Sequence, residues 1–306
     1  MPMPILATSS RFWHLLVACI GGLLFSVISL PVQHVHAQTG PGGVGNASGA
    51  SSQPENVLWL RGDEGVTTNG SNEVTTWADQ SGNGNDAGSI MTAPGDTDSG
   101  LPSFDSSRFG GAGGVEFARV SNSEGDELGG SFAAPGAVTI FLVGDNSTSS
   151  RSAFFELYAN SSPPRPTSPS EIRNGLYYEP SASEALQYLS GAGGSNGFSN
   201  FDDQTYSGAA SIVSVIHEDA TSIDGFLNGA TGGLVNGASQ GNKDQFVIGN
   251  DQSGGDFIDG AIGEFVVYNG ALNTAQRIVV ENYLSSKYDL SLASNDRYAF
   301  DASHGS

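Results

Sequence analysis

The sequence predicts an all-β fold, a two-sheet jelly-roll sandwich with one C-terminal helix packed on it, on the strength of three observations. Short apolar runs recur along the chain, each bounded by Gly, Pro, Asn, Asp or Ser clusters, which is the punctuation of strands joined by turns. The stretch Trp77 to Ala87, WADQSGNGNDA, runs a strand tryptophan straight into a polar, glycine-broken turn. Near the end, one segment alone carries helical spacing, with Val280, Tyr283, Leu284 and Tyr288 recurring at intervals of three and four.

Taken in order, the chain opens on Arg11, an apolar core from Leu15 to Leu30, Pro31 and the small-residue pattern Val35-His36-Ala37. Residues 1–37 therefore read as a secretory signal peptide cut after Ala37, rather than as an uncleaved anchor or a lipoprotein box at Cys19. Cys19 is the only cysteine, so the processed chain can hold neither a disulfide nor a thiolate metal site. Residues 38–55 are Gly, Ser, Pro, Asn and Gln with little that is apolar, and predict a flexible leader.

A domain is then expected over 56–290. Its strand runs are Val57–Arg61, Val74–Ala78, Gly114–Phe117, Ala137–Val143, Ala153–Tyr158, Gly175–Glu179, Ala185–Leu189, Ala210–His217, Thr221–Leu227, Phe246–Ile248 and Phe257–Tyr268. Many short strands of this kind argue for a sandwich or jelly roll. Polar loops at Ser161–Ser170 and Gly191–Gln204 are long enough to carry function. A helix is expected from about Thr274 to Lys287, because Asn273 and Gln276 have capping-box spacing. Residues 291–306 read as a tail or the start of a further unit.

Eleven basic residues stand against 32 acidic ones, for a net charge of −21. Such a surface repels nucleic acid and anionic lipid, and with the signal removed no membrane span is expected. Lys243 and Lys287 are the only lysines. That balance suits salty water, where screening relieves self-repulsion, or calcium, which would relieve it too.

Three segments resemble bacterial concanavalin A-like, laminin G-like domains. They are Asn56–Ala87 with VLWLRGDEGV, VTTWADQ and SGNGNDA; the hairpin Ile212–Gly229, ending on Leu-Asn-Gly; and Gly260–Tyr288. The resemblance implies a concanavalin A-like jelly roll that is secreted or held at the cell surface and binds a glycan or protein, with calcium in some members. Members of that group often have an Asp-Glu pair before the last strand, where this chain has Gly263-Glu264.

For calcium, Asp79, Asn83, Asn85 and Asp86 place several oxygens in one glycine-containing turn. The same residues could instead bond nearby amides as an Asx turn. Glu264 could supplement the set from a distance. Asp251, Asp256 and Asp259 lie before the last strand and read as solvated turn acids. For sugar contact, Tyr177, Tyr178, Tyr188 and Tyr206, with Phe201, sit in or beside the long polar loops. On an alternating strand Tyr177 and Tyr178 point to opposite faces, so at most one is expected in the core, whereas Trp59 and Trp77 are expected inside.

Catalytic readings find less. No strand carries carboxylates at alternate positions as a laminarinase-type site needs, and Glu124-Gly125-Asp126-Glu127 reads as a loop. His217 and His304 are the only histidines past the signal peptide, and His217 is expected at a surface strand end. The sequence thus predicts a non-enzymatic, monomeric recognition module for polysaccharide outside the cell. The alternative is an adhesive domain that binds a matrix or surface protein, and a lyase or hydrolase would need a cleft with paired carboxylates or a Tyr-His couple.

Overall fold

The structure is a computed structural model and describes residues 40–46, 53–90, 99–134, 136–159, 173–180, 185–191, 197–201, 203–219, 221–235 and 241–297. The chain divides into units 1–36 and 37–306. The signal-peptide positions with Cys19, the loop 161–170, and Tyr298 and Phe300 lie outside the described residues. Among the described residues no helix is long and apolar enough to cross a membrane.

Twenty strands follow in order: β1 (Glu55–Arg61), β2 (Val66–Thr68), β3 (Val74–Trp77), β4 (Ala87–Gly88), β5 (Ser99–Gly100), β6 (Ser103–Asp105), β7 (Gly114–Phe117), β8 (Arg119–Ser121), β9 (Glu124–Asp126), β10 (Leu128–Ala134), β11 (Val138–Gly144), β12 (Ser152–Tyr158), β13 (Arg173–Glu179), β14 (Ala185–Gly191), β15 (Gly197–Asn200), β16 (Ser211–Asp219), β17 (Ser222–Leu227), β18 (Ala230–Val235), β19 (Lys243–Ile248) and β20 (Gly260–Asn269). The helix α1 spans Thr274–Tyr288. One antiparallel sheet has the order β18-β17-β16-β11-β20-β7-β6, with β1 also on β20; the second runs β15-β14-β13-β12-β19-β10-β4-β3-β2. The expected two-sheet sandwich with one C-terminal helix is what the chain forms.

Between the sheets lies a core that includes Leu58, Trp77, Phe117, Phe155, Leu176, Phe246 and Phe265, with the Phe155 and Phe265 rings 4.8 Å apart. Outside the first sheet, Val280, Leu284 and Tyr288 of α1 cover Trp59, Phe141, Val266 and Tyr268. Both tryptophans are inside, as expected, but in different layers.

Part of the expected leader packs here as well. Val44 is buried in this second layer, and its carbonyl accepts from Tyr268 Oη at 3.1 Å. The described start of the tail does likewise: Leu292 is buried, and Ala293 N donates to Asn228 O at 2.8 Å.

The capping box is present: Asn273 Oδ1 accepts from Gln276 N, and Gln276 Oε1 accepts from Asn273 N, both at 3.0 Å. Asn273→Ala is therefore expected to cost about 1 kcal/mol in a urea melt, and no change would mean that tertiary contacts alone fix the helix start. The resembling hairpin pairs β16 with β17, and the Asn228-Gly229 that ends it turns the chain into β18, with the φ values, 49° and 76°, of a two-residue turn between antiparallel strands.

Several elements escape a reading of hydrophobic pattern. β10, with Leu128-Gly129-Gly130-Ser131, is a full strand where the glycines read as turn signals. They are there for space: a Cβ on Gly129 would meet Ile90 Cδ1 at 2.2 Å, and one on Gly130 would meet Asp86 O at 2.5 Å. The loop assignment for Glu124–Asp126 is likewise corrected to β9, which pairs with β8 and β5.

Lys243 at the start of β19 is 1% exposed and donates from Nζ to the carbonyls of Gly136 at 2.8 Å and Gly241 at 3.0 Å. Burial pushes its ammonium down to about 7. Above that pH the folded chain holds one proton fewer here than the unfolded chain, so stability rises from about pH 7 to about pH 10. Lys243→Met should flatten that rise in melts followed across the window; an unchanged slope would contradict it.

Candidate functional site on the outer face of the second sheet

The first sheet's outer face is covered by α1, whereas the second sheet's outer face carries charge. Strand alternation sets which residues point there. On β13, Asn174, Leu176 and Tyr178 turn inward, and Arg173, Gly175, Tyr177 and Glu179 turn outward. On β12 a bulge between Ala153 and Phe155 brings Ala153 to the outer face with Glu156. Gly175 lies between Glu156 and Tyr177; a Cβ there would meet the Tyr177 ring at 2.8 Å. Glycine lets both side chains lie flat on the sheet.

Glu156 is fully buried and forms a two-point ion pair with Arg173, through Nε to Oε1 and through Nη2 to Oε2 at 2.8 Å. Glu156 Oε2 also accepts from Gln252 N at 2.8 Å and from Tyr177 Oη at 3.3 Å. Asp251 Oδ2 lies 3.5 Å from Arg173 Nη2, so one guanidinium serves two carboxylates. Burial pushes the Glu156 carboxyl up, against the pull of Arg173 and with added push from Asp251.

Over this floor sits a more open rim. Arg151 stacks over Tyr177 at 4.9 Å and over Phe198 at 4.7 Å, while the two rings meet edge to face at 5.2 Å. Arg151 Nε lies 3.5 Å from Asp256 and 3.8 Å from Glu179. Burial raises the Asp256 carboxyl, with Arg151 opposing. Phe198 is 41% exposed and, with Val120, is one of two exposed large apolar side chains among the described residues.

Of the four tyrosines expected at a ligand, only Tyr177 belongs to this cluster, and its ring is buried beneath Arg151 and Phe198. Both Tyr177 and Tyr178 are buried because both faces of β13 are covered, so the expectation that at most one would be core is corrected. Tyr178 and Tyr206 pack edge to face in the core, 5.9 Å apart. Tyr206 Oη is buried and has no hydrogen-bond partner among the described residues. Tyr206→Phe should leave stability unchanged or raise it by up to about 1 kcal/mol; a larger loss would show that the hydroxyl is paired.

Tyr188 and His217 do form a couple, with Tyr188 Oη 3.3 Å from His217 Nδ1, and Asn174 Nδ2 3.1 Å from the same nitrogen. It lies between the sheets, with Tyr188 unexposed and His217 1% exposed, so His217 is not a surface strand end. Burial holds the Tyr188 hydroxyl far above its ordinary range, so it is a poor base. The couple ties β13 and β14 to β16.

The Asp79 turn serves the open edge of β1. Asp79 Oδ1 accepts from Trp59 N and Ser81 N, both at 2.9 Å, and Oδ2 from Ser81 Oγ at 2.7 Å and Asn85 N at 3.0 Å. Asp86 Oδ1 accepts from Asp79 N at 2.8 Å. Asn83 Nδ2 donates to Asn56 O at 2.8 Å, and Asn85 Nδ2 to Val57 O at 2.7 Å. The oxygens of Asp79 that calcium would need already hold four protein donors, so this donor set fits the Asx-turn alternative and not the metal.

Glu264 does not join it. Glu264 is fully buried, accepting from Trp59 Nε1 at 2.6 Å and, on Oε2, from Lys287 Nζ at 2.7 Å and Tyr288 Oη at 2.8 Å. Gly263 leaves room for the Tyr288 ring, which a Cβ would meet at 2.8 Å. Asp251 and Asp256 are not solvated turn acids either: their side chains are 6% and 19% exposed, held by the turn that Asn250 Oδ1 ties through the Asp251 and Asp256 amides. Their arginine partners lie far off in sequence, a signal that spacing does not carry.

No protein-family model and no curated protein matches the sequence. Solved structures do resemble the fold. An arabinofuranosidase complexed with arabinofuranosyl-α-1,2-xylobiose shares 14% identity over 71% of this chain and 51% of its own, with a TM-score of 0.53. A GH54 α-L-arabinofuranosidase soaked with a cyclic sulfate inhibitor shares 16% over the same shares, with a TM-score of 0.52. A Trypanosoma rangeli sialidase in complex with the inhibitor DANA shares 15% over 76% of this chain and 33% of its own, at 0.44. The chain thus spans about half the length of these arabinofuranosidases and a third of the sialidase. The arabinofuranosidases share its β-sandwich and are enzymes, so the expectation of a non-enzymatic module is corrected. What the likeness establishes is the fold.

Proposed function

We propose that this chain is a secreted, polysaccharide-active β-sandwich domain that takes a glycan chain across the outer face of its second sheet. The observation that carries the reading is the rim itself. A part-exposed phenyl ring, Phe198, lies beside a stacked guanidinium, Arg151, and two carboxylates, on a rigid sheet. Sugar rings need an apolar surface for one face and charged or amide groups for their hydroxyls. Two neighbours of the same fold are named as arabinofuranosidases, which agrees with a glycan ligand. A laminin G-like relationship also agrees with the segments at Asn56–Ala87 and Ile212–Gly229.

Glycosidic hydrolysis is the reaction this face favours. Asp256 and Glu179 lie within 4 Å of one Arg151 nitrogen, so those carboxylate oxygens are less than about 8 Å apart, a limit that admits the roughly 5–5.5 Å at which an acid and a nucleophile flank a glycosidic bond. Asp256, pushed up by burial, is the proton donor of the pair.

The test is retention of the full chain in gels containing arabinan, xylan and neutral plant glucans, run beside a reducing-end assay. Phe198→Ala should weaken retention by one polymer at least tenfold, and Asp256→Asn should abolish sugar release. Retention indifferent to Phe198, or no retention with the fold intact, would reject the outer face as the glycan site. Binding without release would reject the hydrolytic step alone.

A further inference from the structure

A second site lies at the edge of the sandwich, where the Asp79 turn runs beside β1. An open cleft of about 540 Å³ is lined by Glu55, Val57, Asn83, Asn85, Ser131, Phe132, Ala133 and Asn269. It shares no residue with the outer-face cluster. Its volume falls within the range of small-ligand sites, roughly 300–1,000 Å³.

The amides of Asn83 and Asn85 are fixed by β1. Each gives its nitrogen to a β1 carbonyl, at 2.8 Å to Asn56 O and 2.7 Å to Val57 O. Each carbonyl oxygen is thereby turned away from the strand, and among the described residues no protein donor meets either one. Two acceptors are thus held in place with no rotamer entropy left to lose on binding. Asn269 at the end of β20 and the exposed Ser131 on β10 add groups that can both donate and accept. Val57 and Phe132 give the cleft an apolar floor.

The charge of the lining selects the ligand. In a chain of net charge −21, Glu55 is the single ionisable group among the eight lining residues. An anionic ligand would meet that carboxylate with no cation opposite it. A neutral polyol meets amide oxygens, a hydroxyl and an apolar floor. We propose that this cleft is a separate binding site for a neutral oligosaccharide, whose hydroxyls donate to Asn83 and Asn85.

The site stands apart from the outer-face reading and can fail alone. The probes are cellotetraose, xylotetraose and arabinotriose, with trigalacturonate as the anionic control, titrated calorimetrically into the full chain. The variants are Ala133→Trp, which fills the cleft from an exposed β10 position without touching the β1 caps, Ser131→Tyr as a second filling, and Phe198→Ala on the outer face.

At least one neutral probe should bind, at least tenfold tighter than trigalacturonate. The filling variants should weaken it at least tenfold, while Phe198→Ala leaves that affinity within twofold. No neutral binding, a smaller loss in a filled variant whose near-ultraviolet dichroism is native, or equal binding of trigalacturonate would overturn the proposal. Binding lost only in Phe198→Ala would assign the sugar to the outer face and overturn it too.

Discussion

Glu264→Ala is expected to lower the stability of the fold by about 3–5 kcal/mol, the range seen when one partner of a buried ion pair is removed. Glu264 is unexposed and joins three elements: Trp59 from β1, Lys287 and Tyr288 from α1, and its own strand β20. Lys287 also reaches Asp63 at 2.7 Å, and that carboxyl, although burial pushes it up, is held below its usual range by Arg61 and Lys287. Removing Glu264 leaves the Trp59 indole N–H without its acceptor and Lys287 without its buried carboxylate, while the Tyr288 hydroxyl keeps the Gly263 carbonyl at 2.8 Å.

Urea melts would measure the loss, and Trp59 supplies a local probe whose emission should change even where the chain stays folded. Glu264→Gln should cost less, because an amide oxygen can still accept from Trp59. A loss below about 1 kcal/mol for the alanine variant would show that α1 is held by its apolar contacts alone.

The second large effect is expected at Arg173. Its guanidinium faces Glu156, which is fully buried, and Asp251, whose side chain is 6% exposed. Arg173→Ala takes from these two carboxylates the guanidinium they share, leaving the buried Glu156 without its ion-pair partner, and a loss of about 3–5 kcal/mol near neutral pH is expected. The loss should also depend on pH. Without Arg173 the Glu156 carboxyl, already raised by burial, rises further above its unfolded value. A raised carboxyl stabilises the fold below its unfolded pKa and loses that contribution as pH climbs through the folded pKa. The gap between parent and variant should therefore narrow from about pH 8 to about pH 5. A gap constant over that window would mean that Glu156 does not titrate in the variant.

How far sequence reading goes is clear from particular residues. The capping pair Asn273 and Gln276 and the alternation along β13 are local patterns, and each appears in the fold as its spacing implies. What spacing cannot supply is the partner across the sheet. Asp251 and Asp256 look like loop acids until Arg173 and Arg151 are placed beside them. Tyr177 looks like a surface ring until Phe198 covers it. His217 looks like a strand end because its neighbours Glu218 and Asp219 are exposed, yet its side chain points into the sandwich. In each case a long-range contact outweighs the local signal. The Asp79 turn was readable both as a metal loop and as an Asx turn, and the open edge of β1 decides between them.

The most direct measurement on the outer-face site is hydrogen exchange of the full chain with and without the polysaccharide that retains it. Slowed exchange is predicted in β13, β14 and β15 and in the turn 250–256, and it should vanish in Phe198→Ala. Protection that leaves those segments unchanged while the polymer is bound would contradict the assignment of the glycan to the second sheet.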